Sequence, residues 1–265
     1  MDKAELKQIK ALFLDMDGVL WSGKEEIGDL EQIFHDIDAL GLIPVFGTNN
    51  ATRTPEEYCE RLAGYGVHVK PEQFFTSGIA TVKQLRDDFP NGPKVHVFGS
   101  DSLRKLLREN GIAVVDEEQA DAVLCSLDKE MTYEKVAKAM TQVMNGAKFY
   151  ATNADATLAT ENGWRPGGGV IVNTVQTCTG VKPFIIGKPN TVMIDMACKH
   201  YGLKPNEIMA VGDRHETDIM GGYNYGAKTA LVMTGYETPE TLPSLDPRPD
   251  LICKDLTEVI SQFKY

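Results

Sequence analysis

The sequence predicts an α/β protein: a parallel sheet flanked by helices, interrupted by a second α/β unit. Three observations predict it. Strand-like and helix-like segments alternate almost throughout. Four short apolar runs each end in a polar residue with useful chemistry. A break at Pro90-Asn91-Gly92-Pro93 separates two alternating series, with two of those runs before it and two after residue 182. Short, wholly apolar runs read as strands buried on both faces, as parallel strands are.

The first strand is Ala11–Leu14. A stripe at Leu30, Ile33, Phe34, Ile37 and Leu40 predicts a helix ended by Gly41, and residues 42–46 follow as a strand. Thr54-Pro55-Glu56-Glu57 is a capping box with proline at the first helical position, opening a helix that stops near Gly66. A strand near Phe74–Thr76 and a helix over 79–89 complete this series. Beyond the break come strands at 95–98, Ala113–Val115, Ala122–Cys125 and Lys148–Ala151, with helices at 102–109 and Tyr133–Met144. A Gly-rich stretch, 163–169, precedes a helix ending near Gly180. Residues 184–186 then resume the first pattern, followed by helix, strand (208–211), helix and strand (229–233). The division this implies is 1–91 with 182–265 as one domain and 92–181 as a separately folding insertion, a size within the domain range. An inserted domain over a site is a natural lid, with the proline-glycine break as its hinge.

The bulk numbers exclude some partners. The chain has 265 residues, 42% hydrophobic and 25% charged, with net charge −11 and no dense Lys/Arg run, which argues against nucleic acid or an anionic membrane as partner. A small anionic substrate remains compatible, because a cation and one lysine reverse the local sign. The five cysteines, none in a C-x-x-C pair, suit a reducing cytoplasm. The first ten residues lack the apolar core of a signal peptide, and no run approaches the ~20 apolar residues of a membrane span.

The four runs end in Asp15-Met16-Asp17-Gly18, Thr48-Asn49-Asn50, Lys188-Pro189 and Asp213, with Asp218 five residues on. Ligands of open α/β sheets bind beyond the carboxyl ends of the strands, so this pattern gathers carboxylates, a hydroxyl and an ammonium in one crevice. That set suits Mg²⁺-dependent transfer of a phosphoryl group to an aspartate. Asp15 is the candidate nucleophile and metal ligand. Asp17 offers its backbone carbonyl to the metal and its carboxyl to the leaving oxygen, as general acid and then general base. Thr48, with the Asn49 and Asn50 backbone, and Lys188 are candidates for the phosphoryl oxygens. Asp213 is the third metal anchor. Asp218 reads as a residue behind the ligands or as a helix N-terminal charge, and His215 as a surface or orienting group. A D-x-D pair alone carries little, since Asp36 and Asp38 form another in mid-helix. The joint set, in order and at strand ends, is the signal.

These motifs resemble those of the haloacid dehalogenase superfamily: Asp15-Met16-Asp17-Gly18-Val19, Thr48-Asn49-Asn50, Gly187-Lys188-Pro189, and Gly212-Asp213-Arg214 with Thr217-Asp218. The run from Thr48 to Pro55 and the long insertion resemble the NagD-like, p-nitrophenylphosphatase-like branch. The resemblance covers nearly the whole chain. It implies a Rossmann-like three-layer core with a parallel sheet and an inserted α/β cap of the C2 type. It also implies an aspartyl-phosphate mechanism using Asp15, Asp17, Thr48 and Lys188, with Mg²⁺ anchored through Asp15, Asp17 and Asp213, and a homodimer through the cap. Thr152-Asn153-Ala154-Asp155 resembles the family's specificity loop, adding Asn153 and Asp155 to the substrate-binding candidates. Leu158-Ala159 stands where relatives often carry proline. Residues 153–169 also read as a turn-rich connector, in which Trp164 and Arg165 either touch substrate or seal cap against core. The function expected is hydrolysis of a small phosphomonoester. Two alternatives use similar parts: a phosphomutase with the same nucleophile, and a receiver-like phosphate-accepting domain. The chain's length and Asp17 argue against the latter.

Overall fold

The computed structural model describes residues 1–160 and 163–264. A six-stranded sheet runs in the order Leu251–Cys253, Lys228–Val232, Ile208–Gly212, Ala11–Leu14, Ile43–Thr48, Phe74–Thr76, every neighbouring pair parallel. Its strands alternate faces at period two. Leu12, Leu14 and Phe46 pack with helices Leu30–Ala39, Pro55–Ala63 and Leu256–Ser261, while Ala11, Phe13 and Val45 pack with Ser77–Asp88 and Val192–Tyr201. Helices on both faces make this the three-layer, Rossmann-like core. The Thr54 cap behaves as its sequence requires, accepting from Glu57 N while the Glu57 side chain returns to the Thr54 N–H.

A second sheet of five parallel strands is the cap: Phe184–Ile185, Lys148–Ala151, Ala122–Cys125, Lys94–Phe98, Ala113–Val115. One face packs helices Tyr133–Met144 and Gly168–Thr179. The other carries Val95, Val97, Leu124 and Tyr150, which share one apolar cluster with Leu103 and Leu107 of helix Asp101–Glu109 and with Leu85 of the core. Tyr150 Oη donates to Asp88 Oδ2 at 2.7 Å, and Arg86 Nη2 to Asn110 O at 2.7 Å. The Pro90–Pro93 break is therefore spanned by packed side chains on both sides of it.

Two local readings differ from the structure, and one element was not anticipated. Residues 184–186 do not resume the core sheet: Phe184 and Ile185 pair with Tyr150 and Ala151. An apolar run does not declare which sheet it joins, and the core edge is already taken by Phe74–Thr76. The connector over 153–169 holds an antiparallel hairpin, Thr157–Thr160 with Gly163–Pro166, although residues 161 and 162 lie outside the described residues. A second hairpin, Trp21–Ser22 with Glu25–Glu26, follows the first strand.

Candidate active site

Register brings the site together. Leu14 lies opposite Val211 on one side and Phe46 on the other, so Asp15 emerges between Gly212-Asp213 and Gly47-Thr48. Lys188 arrives from the cap side. Ile186 N and Gly187 N continue the strand's bonding to Ala151 O and Thr152 O, each at 2.9 Å, and the chain then crosses to the core. Lys188 Nζ donates to Asp15 Oδ1 at 2.6 Å and to Gly47 O at 2.8 Å, and pairs with Asp218 Oδ1 at 2.6 Å. The ammonium thus meets three oxygens, two as hydrogen-bond acceptors and Asp218 Oδ1 as an ion-pair partner. Burial alone would weaken the ammonium, but Asp15 and Asp218 outweigh that and hold its pKa above the ordinary lysine value.

Asp15, Asp213 and Asp218 place one carboxylate oxygen each within 4.8 Å of the others. Burial raises the Asp15 pKa well above the usual carboxylate range; Lys188 opposes the rise, and Asp218 and Asp213 add to it. Burial and Asp218 push Asp213 up to about 7, against the Tyr236 N–H. Three crowded carboxylates facing one ammonium leave uncompensated negative charge, and among the described residues Asp218 Oδ1 has no hydrogen-bond partner beside its ion pair with Lys188. An all-oxygen set of this kind fits a hard divalent cation such as Mg²⁺. Asp17 stands apart from this cluster: its Oδ1 accepts from Trp21 Nε1 at 2.8 Å.

Asn49 ties cap to core. Lys188 N donates to Asn49 Oδ1 at 2.8 Å. Asn49 Nδ2 in turn donates to Lys188 O at 3.1 Å and to the Asp155 carboxylate at 3.1 and 3.3 Å. Asn153 Nδ2 donates to Asn49 O at 2.9 Å. Gly187 permits this packing, because a Cβ there would lie 2.4 Å from Asn49 Oδ1. Asn50 Oδ1 closes a turn on Thr52 N and Oγ1, and Thr48 Oγ1 accepts from Asn50 N at 3.1 Å. The amides of Asn49, Asn50 and Asn153 are thus engaged with protein groups and build the walls. Thr48, Asp155 and Lys188 line the cavity beside them, and burial raises the Asp155 pKa against the pull of Arg214 and Asn49.

The cavity, about 230 Å³, has Asp15, Asp17 and Asp213 on the core side and Ser126, Asn153 and Trp164 from the cap. Trp164 meets Tyr236 edge-on at 5.8 Å, and the Arg214 guanidinium lies 4.1 Å over that ring, so Trp164 both lines the cavity and closes cap on core. His215 is buried rather than at the surface. Its backbone N–H reaches Glu237 Oε1 at 3.1 Å, and its Nε2 donates to Pro247 O at 2.8 Å. Sequence reasoning passed over Trp21, named Arg214 within its motif without giving it a role, and set Asp218 behind the ligands. The closeness of Asp218 depends on the π-helical turn His215–Ile219 and on Gly212, where a Cβ would sit 2.2 Å from Asp218 Cβ. Spacing alone does not reveal either feature.

A family model described as haloacid dehalogenase-like hydrolase matches residues 12–113, and a second, HAD-hydrolase-like, matches 185–259. An acid sugar phosphatase of Staphylococcus aureus is 37% identical over 259 residues, 98% of this chain and all of that protein. Among solved structures, the 4-nitrophenylphosphatase of Thermotoga maritima superposes with TM-score 0.91 at 30% identity, covering 97% of this chain and 98% of that one. The glycerol phosphate phosphatase of Mycobacterium tuberculosis, solved in complex with magnesium, gives TM-score 0.88 at 28% identity, covering 96% of this chain and 77% of that one. With both family segments matched and a relative aligned from end to end, the chain belongs to the haloacid dehalogenase-like hydrolases, an enzyme family, in their NagD-like, p-nitrophenylphosphatase-like branch.

Proposed function

We propose that the protein is a Mg²⁺-dependent phosphatase of small phosphomonoesters, sugar or polyol phosphates foremost, acting through an aspartyl-phosphate on Asp15. The observation that carries this reading is the Asp15 carboxylate held by Lys188 beside Asp213 and Asp218 at the base of the cavity. Asp15 attacks phosphorus. Asp17 gives its proton to the departing oxygen, and the alcohol leaves. Asp17 then takes a proton from water, the hydroxide attacks the acyl phosphate, and inorganic phosphate departs as Asp15 is restored. Lys188 and the Thr48 hydroxyl stabilise the phosphoryl oxygens. Asp15, Asp213 and Asp218, with the Asp17 backbone carbonyl, would hold Mg²⁺, which when bound offsets the repulsion between carboxylate and phosphate.

The names of the relatives, an acid sugar phosphatase and a glycerol phosphate phosphatase, support hydrolysis over transfer back to substrate. The polar walls of the cavity, from Ser126, Asn153, Asp155 and Thr157, suit a hydroxyl-rich leaving group. Residues 92–181 act in this reading as the cap that excludes water. Exposed Tyr133, Met144, Val181 and Phe184 support dimerisation through that cap, and the free cysteines suit a reducing cytoplasm. Among the described residues no helix is long and apolar enough to cross a membrane.

The test is phosphate release from p-nitrophenyl phosphate with Mg²⁺ or EDTA. EDTA is expected to abolish release, and Asp15→Asn to lower kcat on the order of 10³-fold or more. Full activity in Asp15→Asn would overturn the mechanism.

A further inference from the structure

We infer that Trp21 is a positioning residue for Asp17: its indole N–H fixes the carboxyl so that the proton given to the leaving oxygen sits on Oδ2. This inference rests on the phosphatase reading above. The indole nitrogen can only donate, and it lies 2.8 Å from Asp17 Oδ1. That oxygen must therefore accept. With one Oδ1 lone pair committed to the indole, that oxygen takes the carbonyl role when Asp17 is protonated, which favours Oδ2 as the oxygen that carries the proton. Asp17 lines the cavity and is half-buried, so the protonated oxygen belongs to a group open to substrate.

A buried tryptophan often just takes the nearest acceptor. Here the donor is held in place from several directions. Trp21 is fully buried. The Arg61 guanidinium lies 3.8 Å over its ring, and Tyr58 and Tyr65 stack with it at 6.5 and 6.3 Å. The hairpin carrying Trp21 is pinned by the same neighbours: Arg61 Nη2 donates to Gly23 O at 2.5 Å and Tyr65 Oη to Lys24 O at 2.6 Å. The backbone closes the loop, Gly18 N donating to Trp21 O at 2.8 Å. An acid whose orientation is set before substrate arrives needs no reorganisation during the reaction. The benefit is largest where the leaving group most needs a proton. p-Nitrophenolate departs without one, whereas the alkoxide of glycerol 3-phosphate does not.

The experiment compares kcat/KM, which reports the first phosphoryl transfer, for p-nitrophenyl phosphate and glycerol 3-phosphate. Trp21→Phe is expected to lower the glycerol 3-phosphate value on the order of 10- to 100-fold while changing the aryl ester only a few-fold. Because phenylalanine leaves space in the packing, a second variant carries 3-benzothienylalanine at position 21, which keeps the ring shape and lacks the N–H. It is expected to discriminate in the same way. In an Asp17→Asn background, Trp21→Phe is expected to add no further discrimination. Equal losses on both esters in both Trp21 variants, or a full additional selective loss on top of Asp17→Asn, would overturn the inference and leave Trp21 as packing. If Asp17→Asn by itself fails to discriminate between the esters, the assignment of Asp17 as the acid is overturned, and the role of Trp21 with it.

Discussion

Asp213 occupies a cradle closed by two glycines. A Cβ on Gly18 would lie 2.5 Å from Asp213 Oδ2, and one on Gly235 only 1.9 Å, while Tyr236 N donates to that oxygen at 2.7 Å. Gly18 also has φ +88°, a conformation other residues rarely adopt. Gly235→Ala should therefore displace Asp213. The Mg²⁺ concentration for half-maximal phosphate release should rise on the order of tenfold or more, with an overpacking cost of about 1–3 kcal/mol in a urea melt. Unchanged Mg²⁺ dependence would show that the loop relaxes around the methyl. Gly18 was visible in the sequence as the glycine that follows D-x-D. Gly235 was not, because the glycine that accommodates Asp213 stands on another loop. Trp21 was missed for a related reason: an aromatic at the end of an apolar stretch reads as core until its N–H is seen to meet Asp17.

Elements add two further expectations. Asn49 lies in the turn after Ile43–Thr48 and answers both backbone groups of Lys188. Asn49→Ala would strand the buried Lys188 N–H and cut the link to Asp155, at about 1–3 kcal/mol for the unmet donor. Activity should fall more steeply than that stability loss explains, because the misplaced group is Lys188; parallel melts and kinetics check this. In the cap, His96 on strand Lys94–Phe98 is buried, with Nδ1 unpartnered among the described residues. Burial, helped by Arg104, depresses its pKa below the ordinary histidine value. The unfolded chain thus binds more protons, and this contribution to stability is whole above about pH 6.5 and shrinks as pH falls toward the folded value. Asp213 works in the opposite sense, since its raised pKa makes folding easier as pH drops through about 7. Comparing wild type with His96→Leu isolates the histidine: the urea midpoint of the variant should lose less between pH 7.5 and 5.5. The capping box at Thr54 and the apolar stripe of Leu30, Ile33 and Ile37 were legible because their causes are local. The sheet joined by Phe184–Ile185 was not, because pairing is decided by distant strands.

At the scale of the molecule, the cap and core are not beads on a hinge. Leu85 and Val45 of the core belong to the same apolar cluster as Val97, Leu107 and Leu124 of the cap. The two sheets should open in one cooperative step. Native-state hydrogen exchange should give strands Ala11–Leu14 and Ala122–Cys125 the same free energy of opening. A cap strand exchanging far more readily than the core strand would mean that the units unfold separately.

The sequence by itself determined the features that arise at short range: alternating strands and helices, their caps, the insertion, and polar residues at strand ends. From those came the α/β fold and the candidate chemistry of Asp15, Asp17, Thr48, Lys188 and Asp213. Tertiary structure decided the features that depend on residues far apart in the chain. It added Asp218 to the carboxylate cluster, delivered Lys188 from the edge of the cap sheet, turned Asn49 into the tie between domains, and set Trp21 against Asp17. The physical reason is that local propensity acts over a few residues, whereas Lys188 reaches Asp15 only when two sheets, packed through one apolar core, bring them within 2.6 Å.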